Sequence, residues 1–344
     1  MANVLDIRRR IRSVRNTRQI TKAMKMMSAA RLRKAQDRAL AARPYAQMLT
    51  NVLKSLVARA EIYDPATGEA KHPLLVRRPE RNIVLIVVTA DKGLAGAFNA
   101  NILKAAMRFL AANAEKNVDI EAVGRKARDF FRRRFPMQTA GAETRAAQVQ
   151  MRSERFAIPS ITFGLAKEIA DDVIERYTDG QIDSVYLLYN EFKSVIAQRL
   201  VVDEILPIEQ IGVEDVRQSE ELTKEQKERH AQAAASAGVS LEAADTSEMD
   251  RKAAAFGTAQ VDYIYEQGAD ELFRSLLPKY VAIQIYRALL ESNAAEQAAR
   301  MTAMDSATNN ATDMIDRLTL TMNRVRQASI TKEIIEIVSG AAAL

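Results

Sequence analysis

Cysteine and tryptophan are absent from the 344 residues, histidine occurs only as His72 and His230, and glycine and proline number 12 and 8. The missing cysteine excludes a disulfide framework, a thiolate metal site and a thiol nucleophile. Two histidines far apart in sequence, each in a polar context, leave almost no material for imidazole catalysis or metal binding. With so few helix breakers and abundant Ala, Leu, Met, Arg, Lys, Glu and Gln, the composition favours long helices. Long apolar runs are lacking as well. The longest, Ile83–Val88, falls far short of the roughly 20 residues that a membrane span needs. The charged segment Met1–Arg12 is followed by no apolar core of signal-peptide length, so a cytoplasmic protein or a peripheral part of a larger assembly is expected. What remains, 48% hydrophobic and 27% charged, is globular in class and long enough to bury a core in one or two domains.

Charge is unevenly spread. Residues 1–38 carry twelve Arg or Lys against Asp6 and Asp37, a local charge of +10 in a chain of net +6. Residues 203–250 reverse the balance, with thirteen Asp or Glu and four Lys or Arg. A basic helix is often only a solvated face; its functional readings are nucleic acid, anionic lipid or acidic protein loops.

Periodicity divides the chain. In 1–62, Val4, Ile7, Ile11 and Val14 step at helical spacing, as do Tyr45, Leu49, Val52 and Leu56, with Ile20, Met24 and Met27 between. One helix over about 3–60 is predicted, kinked but not ended by Pro44. Residues 75–210 alternate in type. Strands are predicted at Asn82–Ala90, Val118–Val123 and Ile182–Tyr189, with an edge strand at Val195–Leu206. Helices are predicted at Ala97–Lys116, Arg125–Phe135 and Ile161–Tyr177, so a mostly parallel α/β sheet is expected. Residues 211–258, acidic and nearly free of large apolar side chains, read as an insertion, helical in patches and otherwise mobile. From 259 to 344 the pattern is helical again, and Ala311, Ile315, Leu318, Met322, Val325 and Ser329 form a heptad seam. Two long helices at opposite ends of the chain can pair as an antiparallel coiled coil on the order of 90–120 Å long. No compact domain needs such a rod; it is a shaft or a spacer.

Candidate chemistry is sparse. Asp91-Lys92-Gly93-Leu94-Ala95-Gly96 follows a buried strand and precedes a helix, where a phosphate loop would sit, but neither glycine fingerprint is complete. A tight strand-to-helix turn is the simpler reading. Met24, Met26 and Met27 read as helix packing before they read as a binding surface. No nucleophile, base and orienter recur at a defensible spacing. A nucleic-acid-binding coiled coil and a nucleotide-binding enzyme using the Gly93–Gly96 turn both stay open on these grounds, but neither explains a second long helix.

The two ends carry a resemblance. Residues 7–38, IRRRIRSVRNTRQITKAMKMMSAARLRKAQDR, closely resemble the N-terminal helix of the gamma subunits of F-type ATP synthases. Residues 296–344, from EQAARM to ITKEIIEIVSGAAAL, resemble the C-terminal helix, and TADKGLAGAFN (89–99) is similar to the family's SDRGLCGGLN segment. Ala95 stands where Cys is common, Ala295 where Ser is usual, and Arg8–Arg10 is unusually basic. The resemblance implies a fold in which the terminal helices form a long antiparallel coiled coil beside a central Rossmann-like α/β foot. It implies a rotor shaft with no catalytic site and no cofactor, one copy per complex, coupling transmembrane ion flow to the catalytic beta sites. The implied partners are the alpha and beta subunits, the epsilon subunit and the membrane c-ring, with no nucleic acid. The implied location is peripheral, on the cytoplasmic face of a bacterial plasma membrane. The resemblance also implies contacts to the alpha–beta hexamer at Arg9, Lys22, Met26, Gln297, Arg300, Arg326, Gln327, Thr331 and Glu333. The acidic segment resembles in position the insertion of plastid and cyanobacterial relatives, but without cysteine it cannot carry a dithiol switch.

Overall fold

The structure is a computed structural model, and it describes residues 4–57, 72–137, 147–155, 161–208, 211, 215–241 and 268–342. A segment without glycine and with a single internal proline becomes α1 (Val4–Val57), 54 residues and about 80 Å long, which runs through Pro44. Between it and the second long helix lies a six-stranded sheet with strand order β3-β2-β1-β4-β5-β6.

β1 (Asn82–Val88) sits inside the sheet, paired in parallel with β2 (Asn117–Val123) and β4 (Ser184–Phe192). Its six residues from Ile83 are all buried because both faces are covered. Ile83, Leu85 and Val87 pack with Phe98, Ile102 and Phe109 of α2 (Phe98–Ala112); Val84, Ile86 and Val88 pack with Ile169 and Val173 of α4 (Phe163–Thr178). Between β2 and β3 (Val149–Arg155) lies the short α3 (Arg125–Phe131). The hydropathy pattern gives no strand between α3 and α4, because the run VQMRSER buries only two of its residues fully at the sheet edge.

β5 (Gln198–Leu206) is not the edge strand that its pattern suggests. It lies antiparallel between β4 and a sixth strand, β6 (Asp215–Glu221). β6 and the following helix α5 (Lys224–Ala237) come from the acidic stretch expected to be an insertion, helical in patches and otherwise mobile. Both elements are integral to the fold. The strand needs only backbone pairing along β5, and the helix buries small side chains, Ala233, Ala234 and Ala237, where large ones were sought. The remainder of that stretch, 212–214 and 242–258, lies outside the described residues.

The last element, α6 (Ala269–Ala342), has 74 residues and spans about 110 Å. Its first turns complete the core through Leu277, Val281 and Ile285, and the rest runs antiparallel to α1. Near the far end Ile7 and Ile11 pack with Ile315, flanked by Val14, Leu318, Met322 and Val325. Ser329, the last position of the predicted seam, is exposed.

Candidate partner interface on the shaft

Halfway along the shaft the expected seam is inverted. Over residues 12–28 of α1 the buried residues are Thr21, Lys25 and Ser28, while Ile20, Met26 and Met27 stand 60%, 49% and 52% exposed. The polar seam is satisfied internally: Thr308 Oγ1 lies 2.8 Å from Thr21 Oγ1, and Lys25 Nζ lies 2.9 Å from Asp305 Oδ1. Ile20 and Met27, two turns apart, share one exposed face and Met26 stands on a neighbouring one, and apolar side chains left outward in this way mark a surface that a partner covers. Of the methionines read from sequence as helix packing, Met24 is half-buried while Met26 and Met27 face outward; Ile20 joins them on the outside.

The register that pairs Thr21 with Thr308 and Lys25 with Asp305 brings Val4 level with about residue 325. Residues 326–342 therefore extend as a single helix for about 25 Å. On it Ile330, Ile334, Ile335, Ile337 and Val338 are all exposed, and so are Arg326, Gln327, Thr331 and Glu333. The polar members are held in local pairs, Thr331 Oγ1 donating to the Gln327 carbonyl at 3.0 Å and Ser329 Oγ to Glu333 Oε1 at 3.3 Å. Lys22 and Arg9 are exposed on α1, with Arg9 Nη1 3.7 Å from Asp6.

Gln297 and Arg300 are placed differently. Both are buried, and the Arg300 guanidinium is spent inside the chain. It donates to Glu296 Oε1 at 2.6 Å, to Gln297 Oε1 at 3.2 Å and to the Gly93 carbonyl at 3.3 Å. Burial pushes the Glu296 carboxyl upward, against the opposing pull of Arg300. These groups anchor α6 to the turn after β1, where Leu94 adopts φ 64° and is 61% exposed. A bulky residue held in the left-handed region is strained and uncommon. The same turn borders a cleft of about 460 Å³ to which Arg31, Lys34, Arg38 and Lys92 contribute cations.

On the far wall of that cleft, the first amides of α3 offer no seat for a phosphate. The amides that begin α3 are already taken by the chain's own oxygens: Asp91 Oδ1 accepts from Arg125 N at 2.8 Å and Thr89 Oγ1 from Ala127 N at 2.9 Å. Gly124, at φ 99°, sits so close to Thr89 that a Cβ would fall 2.2 Å from its carbonyl oxygen. The glycine serves chain packing. His72 caps the short turn Pro73–Leu75 by accepting from Leu74 N at 3.2 Å, and His230 is buried beside Gln198. Burial lowers the pKa of both imidazoles, most directly by excluding water from their charged forms. No group of three or more metal-ligating side chains occurs among the described residues, and no described helix is long and apolar enough to cross a membrane.

The family described as ATP synthase matches residues 3–344. The ATP synthase gamma chain of Solibacter usitatus (strain Ellin6076) is 47% identical over 343 residues, covering all of this chain and 99% of that one. The chain belongs to the ATP synthase gamma family. The gamma chain of Anaeromyxobacter sp. (strain Fw109-5) is 43% identical, with full coverage of both sequences. The fold recurs in solved structures. A chain of the Tetrahymena thermophila mitochondrial ATP synthase central stalk and c-ring gives a TM-score of 0.54 at 24% identity, covering 84% of this chain and 99% of that one. A chain of the Euglena gracilis mitochondrial enzyme gives 0.54 at 18% identity, covering 99% and 94%. As a gamma chain it is a non-catalytic subunit of a membrane-associated ATP synthase and serves as its central stalk.

Proposed function

We propose that the two shaft features, the outward apolar set at Ile20, Met26 and Met27 and the single-helix tip beyond residue 325, are the surfaces on which an alpha–beta hexamer turns against this gamma chain. The inverted seam carries the reading, because folding alone would have put those side chains inside. Lys22 supplies positive charge beside the apolar set and Arg9 does so about 16 Å further along α1, and both would meet acidic loops of the beta subunits. Arg326, Gln327, Thr331 and Glu333 would make polar contacts at the tip, with the isoleucines seated in an apolar collar. Gln297 and Arg300 contribute by holding the Lys92–Leu94 turn in place for the hexamer. The sheet domain would rest on the membrane c-ring and bind the epsilon subunit, on the cytoplasmic face of a bacterial plasma membrane.

The test is affinity purification of the tagged chain from detergent-solubilised membranes. Alpha, beta, epsilon and c subunits should co-purify, with one copy of this chain per hexamer. Recovery of the chain without alpha and beta subunits would refute the assignment of partners.

A further inference from the structure

α5 is tied at its two ends to different bodies. At its start it continues from β6 through Leu222, whose amide donates to the Gln198 carbonyl of β5 at 3.4 Å. A capping box of Thr223 and Gln226 closes that end, and Lys227 Nζ reaches back to Glu221 Oε2 at 3.0 Å. At its other end Lys25 Nζ, from α1, donates both to Ser236 Oγ of α5 at 3.0 Å and to Asp305 Oδ1 of α6 at 2.9 Å. One ammonium thus joins three helices. Just beyond, Gly238 ends the helix in the left-handed conformation, and Arg33 of α1 donates to its carbonyl. Between the two ends the alanine face of α5 lies in the same buried cluster as Ala29 and Leu32 of α1 and Ala298 of α6.

We propose that α5 is a strut that triangulates the sheet domain against the shaft, with Lys25, Ser236 and Asp305 as its pinned joint, and that it carries torque across their junction. Two paired helices leaving a sheet can twist about their common axis where they emerge. A third rigid member, fixed off that axis to both bodies, removes the freedom. A 14-residue helix spans about 21 Å, and with both ends capped it does not fray under load. Ser236 and Lys25 are positioning residues in this scheme, acting on stiffness without touching the catalytic subunits. The proposal rests on the rotor reading above.

The experiment uses the assembled complex with the hexamer immobilised and an optical probe on the sheet domain. Two variants are compared with wild type: Ala234→Glu, which places bulk and charge on a fully buried alanine of α5, and Ser236→Ala, which removes one partner of Lys25. Ser236→Ala should lower hydrogen-exchange protection of the α5 amides roughly tenfold, as the loss of one charge-assisted bond implies. In both variants the rotary fluctuations of the probe should broaden and ion pumping per ATP should fall, while unloaded hydrolysis keeps its wild-type rate. If Ala234→Glu does not assemble, Ser236→Ala carries the comparison. Wild-type fluctuations in a variant whose α5 has lost protection would overturn the strut. So would an equal fall in unloaded hydrolysis and pumping, which a merely structural role gives. A wild-type complex in which this chain does not rotate would overturn the rotor reading together with the strut.

Discussion

Glu121→Gln should flatten the alkaline side of the stability profile. Glu121 lies on β2, fully buried, facing α4 with Asp172 and Arg176 and standing opposite Ser153 of β3. Neither carboxylate oxygen accepts a hydrogen bond from a protein donor, and the ion pair with Arg176 Nη1 is a long one at 3.7 Å. Burial first, and then the hydrogen bond and negative charge of Asp172, push the carboxyl up from 4.5 to about 8, against the weaker pull of Arg155 and Arg176. The folded chain therefore holds a proton at Glu121 that the unfolded chain releases at neutral pH. A raised carboxyl contributes stability that is complete below the unfolded value of 4.5 and is lost as pH rises through about 8. Each pH unit in that window costs about 1.4 kcal/mol, so the whole swing is on the order of 5 kcal/mol. Glutamine keeps the shape of the protonated acid and cannot ionise. Urea unfolding of the full chain, followed by far-UV circular dichroism from pH 5 to 9, should show the variant gaining on wild type across the window and levelling off above it. Parallel profiles would refute the proton assignment, whatever the absolute stabilities.

Other substitutions should separate the shaft's internal contacts from its outer ones. Asp305→Leu alone strands the Lys25 ammonium, whose side chain is only 10% exposed, and should cost about 3–5 kcal/mol in thermal unfolding; adding Lys25→Met should recover most of the loss. Gly124→Ala forces a side chain to within 2.2 Å of the Thr89 carbonyl at a φ that alanine resists, so a loss of roughly 3 kcal/mol or more, or failure to accumulate as soluble protein, is expected. Ile334→Asp with Ile337→Asp alters only exposed positions. It should leave the melting of the chain nearly unchanged, within about 0.5 kcal/mol per site, while reducing recovery of alpha and beta subunits in the affinity purification.

The parts of the fold most legible in sequence were those with a strong period. The run from Ile83 to Val88 has no polar residue to place, so it could only be a strand covered on both faces. The absence of glycine from 4 to 57 left a long helix as the only economical reading of α1. What stayed hidden depended on partners distant in sequence. β6 is polar but for Val216 and pairs along the backbone edge that β5 offers it. α5 buries alanines, which carry little hydropathy signal, and its joint to the shaft lies 211 residues from Lys25. Arg300 illustrates the same limit at the candidate site. Its motif marks it as special, but only the fold reveals that its guanidinium faces the turn after β1. The outward turn of Ile20, Met26 and Met27 could have been inferred from one signal, the polar residues Thr21, Lys25 and Ser28 at helical spacing next to them.

The pairing of the first helix with the last has a consequence for synthesis. Ile7 and Ile11 find their cover only when Ile315 and its neighbours have been made, some 300 residues later. At about 5–20 residues per second, α1 leaves the ribosome roughly 15–60 s before its partner exists. During that interval a basic, amphipathic helix must remain unpaired in the cell, and contacts of such sequence separation are the slow ones to form. The sheet domain can be complete in its first four strands well before then. Its core still waits for Leu277, Val281 and Ile285 of α6, as the shaft waits for Ile315, so foot and shaft are both closed by the same late helix.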